Sequence, residues 1–191
     1  MLDIVKQVIK YYLESGKIPT KNELMINDTS LLEKRGNIFV TIYKNGNIVG
    51  NSGNVVEIEN DLVNELIKNT IYALWDKRFP DITTGDLDKI KIRIDIMTNR
   101  VLLWGKMIQD KNGKMVPNPN YREIKDLNPV KSGILAIKKD YNKLAVILPN
   151  ISTTLTSGKD FESVLSKKLD ETFQEENFIL YEVQTEVLSD Y

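Results

Sequence analysis

The chain contains neither cysteine nor histidine among its 191 residues. Those two absences remove disulfides, thiolate nucleophiles, imidazole general bases and every zinc site built from thiolate or imidazole. Only hard-cation sites made of carboxylates stay open, and we read no metal site from the sequence. An excess of either charge is also lacking. Lys and Arg number 26 against 27 Asp and Glu, a net charge of −1, so no bulk field draws the chain to nucleic acid or anionic lipid. No apolar run approaches the roughly 18 residues that a membrane helix needs. The first segment, MLDIVKQVIKYYLES, carries Asp3 and Lys6 within its apolar face and has no small-residue cleavage site, so it does not read as a signal peptide. The expectation is a cytoplasmic protein, with no membrane or nucleic-acid partner and no cofactor. The sequons at Asn27 and Asn150 then carry no meaning.

What is present is an ordinary globular balance, 41% hydrophobic and 28% charged, in a chain long enough to bury a core without cross-links. Ile4, Val5, Val8, Ile9, Tyr12 and Leu13 recur at helical spacing and Gly16 follows as a C-cap, predicting a helix over 2–15. Residues 17–34 read as a surface connection. IFVTIY (38–43) reads as a buried strand, Asn45-Gly46 as a hairpin turn, and 47–50 as its second strand. Asn60 is expected to cap a helix whose stripe runs from Val63 to Trp75. Pro80 stops any helix, and Thr83 with Asp86 has capping-box spacing. KIKIRIDIM alternates: Ile90, Ile92, Ile94 and Ile96 face one side, with Lys91, Arg93 and Asp95 turned to water. A hairpin over 100–117 turning at Asn112-Gly113, strands at 133–137 and 144–148, a helix over 160–173 and a long final strand complete the pattern. Helices interspersed among hairpins argue an α+β fold with a mixed or antiparallel sheet and flanking helices.

Residues 43–55 read YKNGNIVGNSGNV, with four Asn and three Gly. A phosphate-cradling loop needs a following Lys-Ser/Thr and a helix, and neither is there. The remaining readings are a turn that requires positive φ or close backbone approach, or a ligand-facing loop using backbone N–H groups with Asn51 and Ser52. Arg78-Phe79-Pro80 also has two readings. In one, Phe79 packs and Arg78 pairs with Asp76 or Asp81; in the other, Arg78 binds an anion. The carboxylate pairs Asp86/Asp88 and Glu175/Glu176 read as solvated faces. Lys138, Lys139 and Lys143 read as a basic hairpin tip that discourages edge pairing.

Three stretches, taken in order, resemble one family. RGNIFVTIYKNGNIVGNSG is similar to the RG-x-FVTL-x-x-x-G-x-LRGCIG block of the AMMECR domain, the AMME-syndrome candidate-region family. LVNELIKNTIYALWDKRFPDITTGDLDKIKIRIDIM resembles that family's DPRFP-x-LT-x-x-EL-x-x-I-x-I segment. VKSGILAIKKDYNKLAVILPN resembles its GKHGI…GLLLPQV segment. The resemblance spans 1–191 as a single domain of two lobes with a cleft between them, and residues 100–125 read as a hairpin insertion. The family's LRGCIG reads Ile48-Val49-Gly50-Asn51-Ser52-Gly53 here, with its Arg replaced by Val49 and its Cys by Asn51. Any function resting on that thiol or guanidinium is therefore excluded.

The resemblance implies a domain without an established reaction. It implies Memo-like or radical-SAM pathway proteins as partners. The ligand-binding candidates are Gly50, Asn51, Ser52, Gly53, Arg78, Phe79, Pro149 and Asn150, expected around one cleft and facing an unknown small ligand. With no His or Cys, acid–base work at neutral pH would need a carboxyl, Lys or Tyr with a strongly shifted pKa. We therefore expect a non-catalytic ligand-binding or pathway-accessory domain. The alternatives are an enzyme acting on a nucleotide or modified nucleoside, and a protein–protein interaction module.

Overall fold

The computed structural model describes residues 1–103 and 105–190. In chain order it places α1 (Leu2–Ser15), α2 (Thr29–Leu32), β1 (Ile38–Lys44), β2 (Asn47–Gly53), α3 (Leu62–Leu74), β3 (Ile90–Leu102), β4 (Met107–Gln109), β5 (Met115–Pro117), β6 (Gly133–Lys138), β7 (Leu144–Ile147), α4 (Asp160–Leu169) and β8 (Phe178–Ser189). This is an α+β fold, and β1–β2, β1–β3, β6–β7 and β6–β8 all pair antiparallel. Among the described residues no helix is long and apolar enough to cross a membrane. The chain divides into two compact units, Met1–Met97 with the chain end from Glu186, and Thr98–Thr185.

In the first unit the strand order is β2-β1-β3-β8. One sheet face buries Ile38, Val40, Ile42, Ile92 and Ile94 against α1 and α3, whose inward stripes supply Ile4, Val5, Val8, Ile9, Leu66 and Ile71. That is the expected amphipathic packing of two helices on one face of a sheet. Gly16 ends α1 at φ 69°, its N–H donating to Tyr12 O. Asn45 and Gly46 take φ 52° and 77°, as the hairpin turn requires. The expected surface connection over 17–34 holds one short helix, α2, capped by the Asp28 side chain, and buries Leu24. The N-cap of α3 is Asp61, one residue beyond the expected Asn60, because the Asp61 carboxylate accepts from Asn64 N at 2.9 Å. The Thr83/Asp86 capping box forms as read.

Three expectations are overturned. β2 does not stop at residue 50 but continues to Gly53, so the Gly50–Gly53 stretch is a strand rather than a turn or loop. Neither glycine has positive φ; close approach is what they need. A Cβ on Gly50 would lie 2.3 Å from Ala73 O of α3, and one on Gly53 would lie 2.1 Å from the Phe39 ring. The polar face of β3 is not solvated either: Arg93 is 2% exposed and Asp95 0%. Asp86 is buried rather than solvated, paired with Lys44 at 2.5 Å.

In the second unit the order is β3-β8-β6-β7, around a core that includes Ile134, Ile147, Phe161, Leu165 and Phe178. α4 stops at Leu169, short of 173, because Asp170 takes the left-handed conformation at φ 52° and its N–H donates to Ser166 O. β4 and β5 form a separate two-stranded sheet turning at Gly113, φ 79°. Trp104 lies outside the described residues. Lys138 and Lys143 do not make a free basic tip, since both pair with Glu171, at 2.9 and 3.0 Å.

Candidate functional site

The register of the first unit's sheet assembles the site. Thr41 of β1 sits opposite Asn51 on β2 and opposite Arg93 on β3, so the three form one row across the sheet. Phe39 sits opposite Gly53 and Asp95, forming the next row on the same face. This is the face turned away from α1 and α3. Alternation therefore puts every polar side chain of these rows together, while Ile38, Val40 and Ile42 fill the core behind.

Within the rows, Asn51 Nδ2 donates to Thr41 Oγ1 at 2.7 Å. Arg93 Nε and Nη2 donate to the two Asp95 carboxylate oxygens at 2.7 and 2.8 Å, a two-pronged pair that matches guanidinium to carboxylate geometry. Such a pair in a buried position demands that its hydrogen-bonding capacity be met, because either partner alone would be a stranded charge.

β2 is the edge of its sheet, and its outer side is met at Asn51. The Asn51 backbone N–H donates to Asp76 Oδ2 at 3.2 Å, and Arg78 closes on the same carboxylate through Nε and Nη2 at 2.8 and 2.6 Å. Burial works against the charge on Asp76. The Arg78 guanidinium and the backbone donors of Arg78 and Asn51 outweigh it and hold the carboxyl below its ordinary range. The guanidinium also lies 5.5 Å above the Phe79 ring, a cation–π contact. Arg78 makes the pair with Asp76 that the packing reading named.

On the helix side, Ser52 Oγ donates to Asn69 Oδ1 at 3.3 Å. Buried Glu65 of α3 accepts from Asn54 Nδ2 at 2.6 Å, from Asn69 Nδ2 at 3.2 Å and from Glu59 N at 2.9 Å. This network fastens the segment after β2 to α3. The register shift between Ile42 and Tyr43 leaves Val49 as the bulged residue of β2. Its side chain packs on the apolar core, where the resemblance places an arginine.

The structure thus joins Gly50–Gly53 to Asp76, Arg78 and Phe79. Pro149 and Asn150 belong to the second unit and follow β7. There Asn150 takes φ 48° and its N–H donates to Pro129 O at 2.7 Å. Sequence reading missed Thr41, Arg93 and Asp95, because alternation in a strand reports two faces without saying which is covered. The one available signal was the Arg-x-Asp spacing itself, which places opposite charges on the same side of a strand.

The chain belongs to the AMMECR1 family, whose model matches residues 2–187. It is 28% identical over 134 residues to a Thermotoga maritima protein, spanning 69% of this chain and 66% of that protein. Protein CA_C1420 of Clostridium acetobutylicum is 24% identical over 165 residues, 86% of this chain and 31% of its own length. The chain therefore spans less than two thirds of either relative. In fold it resembles the crystal structure of the uncharacterized protein PH0010 from Pyrococcus horikoshii. That match has a TM-score of 0.76 at 19% identity and covers 99% of this chain and 89% of that one.

Proposed function

We propose that this AMMECR1-family chain is a non-catalytic domain that binds a small polar ligand beside Asn51, along the Gly50–Gly53 edge strand and the Asp76–Phe79 segment that meets it. The observation that carries the reading is the identity and engagement of Asn51. It stands where the resemblance places a cysteine, and its amide is given to Thr41 Oγ1 at 2.7 Å. An amide beside a hydroxyl can donate and accept but cannot titrate near neutrality. Asp76 is locked to Arg78 and stays ionised, which suits it to hold backbone and guanidinium in place and not to shuttle protons.

The test pairs a binding screen with a turnover screen. Thermal shifts with nucleotides and small inorganic anions are measured on the native chain and on Asn51→Ala, whose own stability should fall by only about 1 kcal/mol. The expected result is a compound that raises the melting temperature of the native chain and not of the variant, without being consumed. Turnover of a phosphatase, esterase or nucleotide substrate, abolished by replacing one Asp, Glu or Lys near this strand, would overturn the proposal.

A further inference from the structure

The side of α3 that borders residues 18–22 carries a second feature, independent of the polar sheet face. Asn64, Ile67, Lys68, Ile71, Tyr72 and Trp75 follow one another at helical spacing and form one stripe along the helix and its C-cap. Together with residues 18–22 and Glu59 they line an open pocket of about 580 Å³, within the range of small-molecule sites, roughly 300–1,000 Å³. Tyr72 is 46% exposed and Trp75 41%, and Ile18 of the facing segment 50%, while Ile67 and Ile71 lie buried beneath them.

The walls are built before any ligand arrives. Trp75 Nε1 donates to Tyr12 OH at 2.8 Å, and the Tyr12 ring meets the Trp75 ring edge-on at 6.0 Å, so the indole is fixed from α1. Tyr72 stands 5.9 Å from Trp75, tilted by 58°. The facing segment is equally tied down. Glu23 accepts from Thr20 N and Oγ1 at 2.7 and 2.8 Å, and Lys21 reaches Asp61, the N-cap of α3, at 2.6 Å.

The chemistry of the rim selects the ligand. Its two cations are already matched, Lys21 by Asp61 and Lys68 by Glu59, each at 2.6 Å. An ionic ligand would have to break one of those pairs, so a neutral ligand is favoured. Two carboxamides remain. The Asn64 amide nitrogen donates to Asp61 at 3.0 Å, while its Oδ1 accepts no hydrogen bond among the described residues, and neither side-chain atom of Asn22 is engaged among them. A carboxamide presents a donor and an acceptor side by side, which complements a ring edge that carries both. Exposed aromatic rings supply the stacking surface, and Ile67 and Ile71 supply the apolar floor.

We propose that this pocket is a binding site for a neutral, planar heteroaromatic compound with a donor–acceptor edge, the class that includes the nucleobases.

The experiment uses the full chain labelled with 5-fluorotryptophan, which gives separate fluorine resonances for Trp75 and Trp104, assigned with Trp75→Phe. Free adenine is the probe, and indole, equally flat but without an acceptor edge, is the comparator. Adenine should move the Trp75 resonance saturably, and indole should bind at least about tenfold more weakly. Tyr72→Ala, at an exposed position, should keep the melting temperature and weaken adenine by about tenfold or more, the size of one lost stacking surface. Asn64→Ala could loosen the α3 N-terminus, so Asn22→Ala serves as the second variant and should bring adenine toward the affinity of indole. No saturable shift of the Trp75 resonance, equal binding of indole and adenine, or unchanged adenine affinity in Tyr72→Ala would each overturn the proposal.

Discussion

Replacing Gly50 by alanine puts the packing explanation of the Gly50–Gly53 strand at risk. The added Cβ would stand 2.3 Å from Ala73 O and 3.0 Å from Ala73 C, whereas ordinary contact begins near 3.4 Å. Both obstructing atoms are helix backbone, so no side-chain rotation relieves them. β2 and α3 must separate by about 1 Å along a contact that also holds Leu66, Ile71 and Ile42 in the core. Overpacking of this kind costs about 1–3 kcal/mol. Alanine also restricts the unfolded chain, which returns about 0.4–1 kcal/mol. Because the obstruction is rigid we take the upper part of the first range, leaving a net loss of about 2 kcal/mol. For a chain of this size that lowers the melting temperature by about 4–8 °C. Gly85→Ala is the control, since its Cβ would meet only Thr83 Oγ1 at 3.8 Å and its φ is not positive. It should be neutral or slightly stabilising. Thermal and urea unfolding followed by circular dichroism reads both. If the two variants melt within about one degree of each other, helix contact is not why glycine stands at position 50.

Three further outcomes follow from the same contacts. Arg93→Met removes the two-pronged guanidinium partner of the buried Asp95 carboxylate and should cost about 3–5 kcal/mol, read as a fall in the urea midpoint; a loss under about 1 kcal/mol would mean the pair is water-accessible. The hydrogen bond from Lys44, together with those from Thr83, lowers the Asp86 pKa to about 2 from 3.8. Its folded-state value lies below its unfolded one, so the stability it contributes is complete above about pH 4 and lost as pH falls through about 2; Asp86→Asn should flatten that acid limb of a melting-temperature profile, and an unaltered limb would refute the assignment. Replacing residues 106–120 by a short Gly-Ser bridge should leave one cooperative melt, because among the described residues β4 and β5 form a two-stranded sheet of their own; a non-cooperative melt would place the hairpin in the core.

The local decisions were legible in the sequence, because they depend on neighbours within a few residues. Gly16 ends α1, Asn45-Gly46 turns the hairpin, Thr83 and Asp86 close a capping box, and the isoleucines of β3 share a face. Each follows from backbone φ preferences, capping hydrogen bonds or the two-residue period of a strand. The family was legible for a related reason, since its motifs are contiguous. What the sequence left open concerned long-range partners. Alternation in KIKIRIDIM separates Arg93 and Asp95 from the isoleucines but does not say whether their face meets water, and the fold buries it. The two glycines of β2 look like turn residues in a string of letters. Only the approach of Ala73 and Phe39, more than ten residues away in each case, makes them strand residues without room for a side chain. Asp76 likewise reads as one half of a local pair with Arg78, until β1 and β3 leave β2 at the sheet edge and turn the Asn51 N–H toward it. A residue's type sets what it can bond, whereas the register and stacking of distant segments decide which bonds water is kept from contesting.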